Sequence, residues 1–182
     1  MKEPHPMGKR RTARERALQV LYEAEFNDAP LEDIIRAQWA ETPADEDVRT
    51  YAEALIRGVA ARKEELDGVL SRASANWRVA RMTAVDRSIL RLAVYELLEQ
   101  TKFTAPAIII NEAIEIAKRF SGEEAALYIN GVLDAVRRTL GLPESPRKVK
   151  DHEPRAEEKQ GRSRPAGGDE KKRPGARPGR KP

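Results

Sequence analysis

Few residues of this chain could do acid–base, metal or nucleophilic chemistry, and they are poorly placed for it. The two histidines, His5 and His152, lie in Pro-rich, charged end segments that offer no packed surroundings to fix an imidazole against a proton or a metal ion. There is no cysteine, which removes thiolate nucleophiles, disulfides and Cys-based zinc sites. Asp86 and Glu96 could pair as carboxylates, but ten residues of helix separate them by about 15 Å along the axis, too far to flank one bond. Glu112 and Glu115 are close neighbours whose helix is ordinarily amphipathic, so they read as a solvated face. No Gly-rich phosphate loop of the P-loop or dinucleotide type occurs. The expectation is a protein that is not an enzyme and uses no cofactor.

Three groups of residues are better suited to binding. Lys9-Arg10-Arg11-Thr12-Ala13-Arg14-Glu15-Arg16 places cations at the start of a helix, where they oppose the macrodipole at roughly 0.3–1 kcal/mol each. Helix stability alone would put Asp or Glu there. RNA or another polyanion would offset the cost, since guanidinium forks grip phosphates and stack on bases; the other reading is a solvated basic terminus that frays. Tyr128, Asn130 and Gly131 form the second group. Tyr128 can act as a stacking platform and Asn130 can donate and accept, or Tyr128 completes the core and Gly131 lets helices approach. The third is the outer face of the Val85–Leu98 segment, where Asp86, Arg87, Arg91, Tyr95 and Glu96 suit either the rim of a protein interface or plain solvent.

The elements that must position these groups are helices. Between about Lys9 and Gly141 apolar residues recur every three or four positions. Ala13, Ala17, Leu21 and Ala24 stripe a first helix. Leu31, Ile34, Ile35 and Trp39 form a short second after Pro30. Val48, Ala52, Leu55, Ile56 and Val59 follow Asp45, a candidate cap. Leu66, Val69, Leu70 and Ala73 continue the pattern, with Gly58 and Gly68 marking breaks or close packing. Thr83 and Asp86 resemble a capping box before the stripe Val85, Ile89, Leu92, Ala93 and Leu97. Pro106 opens a helix ending at Ser121-Gly122, and the last runs from about Glu123 to Leu140, stopped by Gly141 and Pro143. No strand is expected, and the fold class is all-α.

Charge divides the chain. Residues 1–16 carry a net +4, residues 17–142 a net −6 and residues 143–182 a net +6. Residues 1–8 read as a flexible N-terminus, 9–142 as the helical domain and 143–182 as a disordered Pro/Gly/Lys/Arg-rich tail with too little apolar surface to offset its ordering entropy. No segment reaches the ~18–20 apolar residues a membrane span needs, and neither a membrane partner nor a secretory signal is expected. The cytoplasm is the expected location.

Three stretches in order resemble the NusB family of transcription antitermination factors. They are Arg10-Arg11-x-Ala13-Arg14-Glu15-x-Ala17-Leu18-Gln19-x-Leu21-Tyr22; Val85-Asp86-Arg87-x-Ile89-Leu90-Arg91-Leu92-Ala93-x-Tyr95-Glu96-Leu97; and Ile110-Asn111-Glu112-Ala113-Ile114-Glu115-x-Ala117-Lys118-x-Phe120 with Tyr128-Ile129-Asn130-Gly131-Val132-Leu133-Asp134. The match spans nearly all of residues 9–141. The resemblance implies a compact domain of two small helical bundles that binds single-stranded boxA-like RNA with the ribosomal protein NusE. It also implies association with the RNA polymerase elongation complex in support of ribosomal RNA operon transcription. It assigns RNA contacts to Arg10, Arg11, Arg14 and Tyr128, which Lys9 and Asn130 join from the binding groups above, and a NusE-facing surface to Asp86, Arg87, Arg91 and Tyr95. Three or four neutralised phosphates would follow. The chain departs from the pattern at Thr12, where a third consecutive arginine can stand, at Leu127, where many members are basic, and at Tyr128, where phenylalanine is common. The alternative is an RNA-independent interaction module or homodimer that uses the same helix surfaces.

Overall fold

The structure is a computed structural model and describes residues 6–73, 82–99 and 104–144. All belong to the first of two units, Met1–Arg147; the tail expected after Pro143, and both histidines, lie outside the described residues apart from Pro143 and Glu144. Seven helices and no strand occur among the described residues: α1 (Pro6–Glu23), α2 (Leu31–Glu41), α3 (Glu46–Ala61), α4 (Lys63–Ala73), α5 (Ala84–Glu99), α6 (Pro106–Phe120) and α7 (Glu123–Thr139). α1 packs on α2 and α3, while α4, α6 and α7 gather round α5. These two small bundles meet where α1 lies against α5, and they share one continuous apolar core.

Local chemistry explains most boundaries. α1 begins at Pro6, so residues 6–8, assigned above to a flexible terminus, are instead its first helical residues. Proline is tolerated there because its missing N–H would have had no helical partner. Thr83 caps α5 by accepting the Asp86 N–H at 3.1 Å, and its hydroxyl donates to the Asp86 carboxylate at 2.8 Å. The short Asp side chain thus bonds the hydroxyl rather than reaching back to the Thr83 N–H as in a full capping box. Asp45 precedes α3 without capping it by its side chain; that carboxylate is turned to Lys9 instead. α7 closes with Gly141 at φ 65, its N–H donating to the Arg138 carbonyl and that of Leu142 to the Arg137 carbonyl, a glycine-dependent stop.

Neither Gly58 nor Gly68 breaks a helix. The break between α3 and α4 falls at Arg62, and Gly58 serves close packing, since a Cβ there would lie 2.1 Å from the Tyr95 ring. α5 is the central element: Ser88, Ile89, Leu90, Arg91, Leu92, Ala93 and Val94 are buried in succession. The outer face expected for it is therefore largely absent.

Candidate functional site

The basic start of α1 is held by carboxylates of the same chain. Arg14 is 3% exposed and donates through Nε and Nη2 to both oxygens of Glu96 at 2.8 Å. Glu96 also accepts the Tyr51 hydroxyl at 2.5 Å. Arg11 forms a second two-pronged pair with Glu112 at 2.8 and 2.7 Å, and Arg14 Nη1 lies 3.7 Å from the same carboxylate. Lys9 bridges Asp45 at 3.2 Å and Asp47 at 3.4 Å. Burial alone would lower the proton affinity of Arg14, but the hydrogen-bonded Glu96 outweighs it and the net shift is upward. Hydrogen bonds from Arg11 hold the Glu112 carboxyl below its ordinary range. Burial, then the charge of Glu96, pushes the Tyr51 hydroxyl up to about 12.

These pairs correct two expectations. Lys9, Arg11 and Arg14 do not require an external anion, because Asp45, Asp47, Glu96 and Glu112 already offset them. Glu112 is not on a solvated face but 5% exposed. Arg14 is enclosed and cannot reach a phosphate without leaving its carboxylate, so it is a structural residue. Arg11 remains accessible, its side chain 43% exposed, but its charge is balanced by that of Glu112. Arg10 differs. It is exposed, it donates to the Thr104 hydroxyl at 3.3 Å, and its guanidinium carbon lies 5.1 Å from the Tyr51 ring centroid. Among Lys9, Arg10, Arg11 and Arg14 it is the one with no carboxylate at ion-pair distance among the described residues.

The other end of α1 meets the start of α5. The order of ion pairs, Arg14 with Glu96 and Glu25 with Arg87 and Arg91, shows that α1 and α5 run antiparallel. Glu25 accepts from Arg87 at 2.6 Å and from Arg91, and it forms an ion pair with Lys63 at 3.3 Å. Burial would raise its pKa, but the two guanidinium groups outweigh that and hold it at about 2. Arg91 also pairs through Nε and Nη2 with Asp67 at 2.7 Å and is 5% exposed. Arg91 is thus a buried tie between helices, and Tyr95 is packed against Gly58. Arg91 is therefore enclosed by its ion pairs, while Tyr95 keeps a partly accessible ring. Asp86 is itself 8% exposed, and its Oδ1 is buried without a hydrogen bond among the described residues. Arg87 is partly accessible.

On α7, Asn130 is exposed and Tyr128 is half-buried with its ring against the core. Burial, then the Asp86 charge, raises the Tyr128 pKa. Gly131 is not a packing glycine: a Cβ there would meet nothing within 4 Å. Leu127, in the position that is basic in many members, is 75% exposed. Sequence reading missed Tyr51, Thr104 and the pair Tyr22–Phe26. The last two are 42% and 70% exposed, with ring centroids 5.1 Å apart, beside Glu25 at the end of α1. The signal was available for Phe26, which falls outside the apolar stripe; nothing local marked Tyr51 as the neighbour of Arg10.

Comparison with known proteins agrees with this architecture. The NusB family model matches residues 11–138. The chain is 41% identical over 135 residues to the transcription antitermination protein NusB of Sorangium cellulosum (strain So ce56), covering 74% of this chain and 96% of that one. T. maritima NusB has a similar structure, with a TM-score of 0.66 and 37% identity over 76% of this chain and 93% of that chain. A chain from the crystal structure of antitermination factors NusB and NusE in complex with dsRNA gives a TM-score of 0.65 at 26% identity, covering 72% and 97%. No helix among the described residues is long and apolar enough to cross a membrane. With the family match and the identity extending over most of the helical unit, the chain belongs to the NusB family.

Proposed function

We propose that this chain is a cytoplasmic, non-enzymatic antitermination factor that binds single-stranded boxA-like RNA jointly with ribosomal protein NusE. In this reading it joins the RNA polymerase elongation complex and supports transcription of ribosomal RNA operons. The observation that carries the proposal is similarity to a chain of the crystal structure of antitermination factors NusB and NusE in complex with dsRNA, which supports NusE and RNA as partners. Residues 9–142, extended to Pro6 by α1, are the working domain. The RNA face comprises Arg10 and the accessible side of Arg11, with Lys9, Tyr128 and Asn130. The NusE face is the edge formed by Asp86 and Arg87 together with the exposed rings of Tyr22 and Phe26. Arg87 is the accessible polar group of this edge, since Asp86 Oδ1 is buried.

The test is to mix the protein, NusE from the same organism and a short single-stranded RNA, and to measure affinity across salt concentrations. Because the carboxylates of α1's neighbours cancel most of its charge, only about one or two phosphates are neutralised, giving a slope of roughly −0.7 to −1.4 in log affinity against log salt. Arg10→Ala lowers the slope by about 0.7, and Arg11→Ala changes it little because it also unmasks Glu112. An Arg10→Ala slope equal to wild type overturns the RNA face. The competing outcome is a homodimer that buries the exposed Leu127, seen by light scattering as a dimer that RNA neither binds nor dissociates.

A further inference from the structure

Between α1 and α3 lies an open groove of about 500 Å³, lined by Lys9 and Arg10 from α1 and by Glu46, Asp47, Thr50 and Tyr51 from α3. Arg10 stands over the Tyr51 ring, held at one nitrogen by Thr104. Tyr51 is fixed in turn by its hydrogen bond to buried Glu96 and by the Arg14 guanidinium, 5.8 Å from the ring centroid. The flat guanidinium is thus positioned by a ring and a hydroxyl, neither of which cancels its charge, while its remaining donors stay in solvent. A planar cation held this way offers a stacking surface and a phosphate contact together. The opposite wall carries Glu46 and Asp47, both exposed; Lys9 lies 3.4 Å from Asp47, and Glu46 has no cation at ion-pair distance among the described residues. The Glu46 carboxylate repels a phosphate or an acidic peptide on that wall, and Arg10 repels a basic one. What fits is a neutral planar ring whose own phosphate stays on the open edge of Arg10.

We propose that this groove is a nucleobase subsite, taking one unpaired base of single-stranded RNA stacked against the Arg10–Tyr51 pair. The proposal rests on the RNA-binding reading above and adds to it a position and a selectivity. Carboxylate oxygens accept from exocyclic amino groups, which adenine, cytosine and guanine have and uracil lacks. The subsite therefore favours an amino-bearing base over uracil.

The test uses the full chain with its NusE and a set of short RNAs in which 2-aminopurine replaces one nucleotide at a time. Binding quenches fluorescence strongly at one position. Arg10→Lys keeps the charge but loses the plane. It abolishes that quench and weakens binding about fivefold or more, the low end of a base-stacking loss, while the salt slope stays as in wild type. Uridine at the quenched position weakens binding roughly tenfold, as expected for a lost base-edge contact. If RNA binds but no position is quenched, or Arg10→Lys matches wild type in quench and affinity, the subsite is overturned and the RNA-binding reading stands. An unchanged affinity with uridine overturns the selectivity. If no RNA binds at all, both fall. Arg10 is exposed and circular dichroism reports its variants' folding, so a loss is not confused with unfolding.

Discussion

Arg14 and Arg11 are separated by one helical turn, yet they make opposite predictions. Arg14→Ala leaves Glu96, 1% exposed, as a buried carboxylate without its cation, a loss of roughly 3–5 kcal/mol. Arg11→Ala removes a pair whose cation is 43% exposed and costs no more than about 1 kcal/mol. Urea unfolding of the two variants measures the gap, and equal midpoints would refute the structural role of Arg14. Glu25 makes a prediction in pH. Its carboxyl titrates at about 2 in the fold against an ordinary 4.5, so the unfolded chain takes up the proton first. The stability this contributes, at most about 3 kcal/mol, is complete above pH 4.5 and lost as pH falls from there through 2. Glu25→Gln shows a correspondingly smaller loss over that window in thermal melts, and an identical acid limb would contradict the assignment. At this scale the sequence marked the arginines but not their fate. The distinction between a free and a paired guanidinium depends on Glu96 and Glu112, 82 and 101 residues away from their partners, and no local pattern reports such distances.

Two mid-helix glycines show how far the elements themselves were legible. Both interrupt amphipathic stripes in the same way, but Gly58 faces the Tyr95 ring and Gly131 faces nothing. Gly58→Ala forces α3 and α5 apart and costs about 1–3 kcal/mol. Gly131→Ala relieves backbone entropy in an open helix and adds about 0.5–1 kcal/mol. Denaturant midpoints should move in opposite directions, and a shared sign would mean that one environment has been misjudged. Helix identity and most boundaries followed from apolar spacing, Pro6 and Arg62 excepted. The role of α5 did not follow from its stripe, although Leu90 and Val94 lie outside it and are apolar. A helix apolar on more than one side is a buried one, and that pattern was readable in Ile89-Leu90-Arg91-Leu92-Ala93-Val94. The arginine inside the run obscured it, since a charge suggests a wet face until its Asp67 and Glu25 partners are seen.

For the whole molecule, the helical part is net acidic while its ends are basic, so attraction for a polyanion is divided between a fixed face and the segment beyond Pro143. Deleting residues 143–182, which carry a net +6, should lower RNA affinity at low salt and leave it unchanged at high salt, where long-range attraction is screened. Equal affinities at low salt would show that the segment contributes nothing to binding. The long separation between α1's arginines and their carboxylates also has a consequence during synthesis. At about 5–20 residues per second, Glu96 and Glu112 emerge roughly 4 to 20 seconds after Arg14 and Arg11. For that interval the newborn helix carries bare guanidinium groups beside a ribosome built of RNA, and its masking waits for the far half of the chain. Maturation of this factor is therefore also the extinguishing of its earliest, least selective affinity.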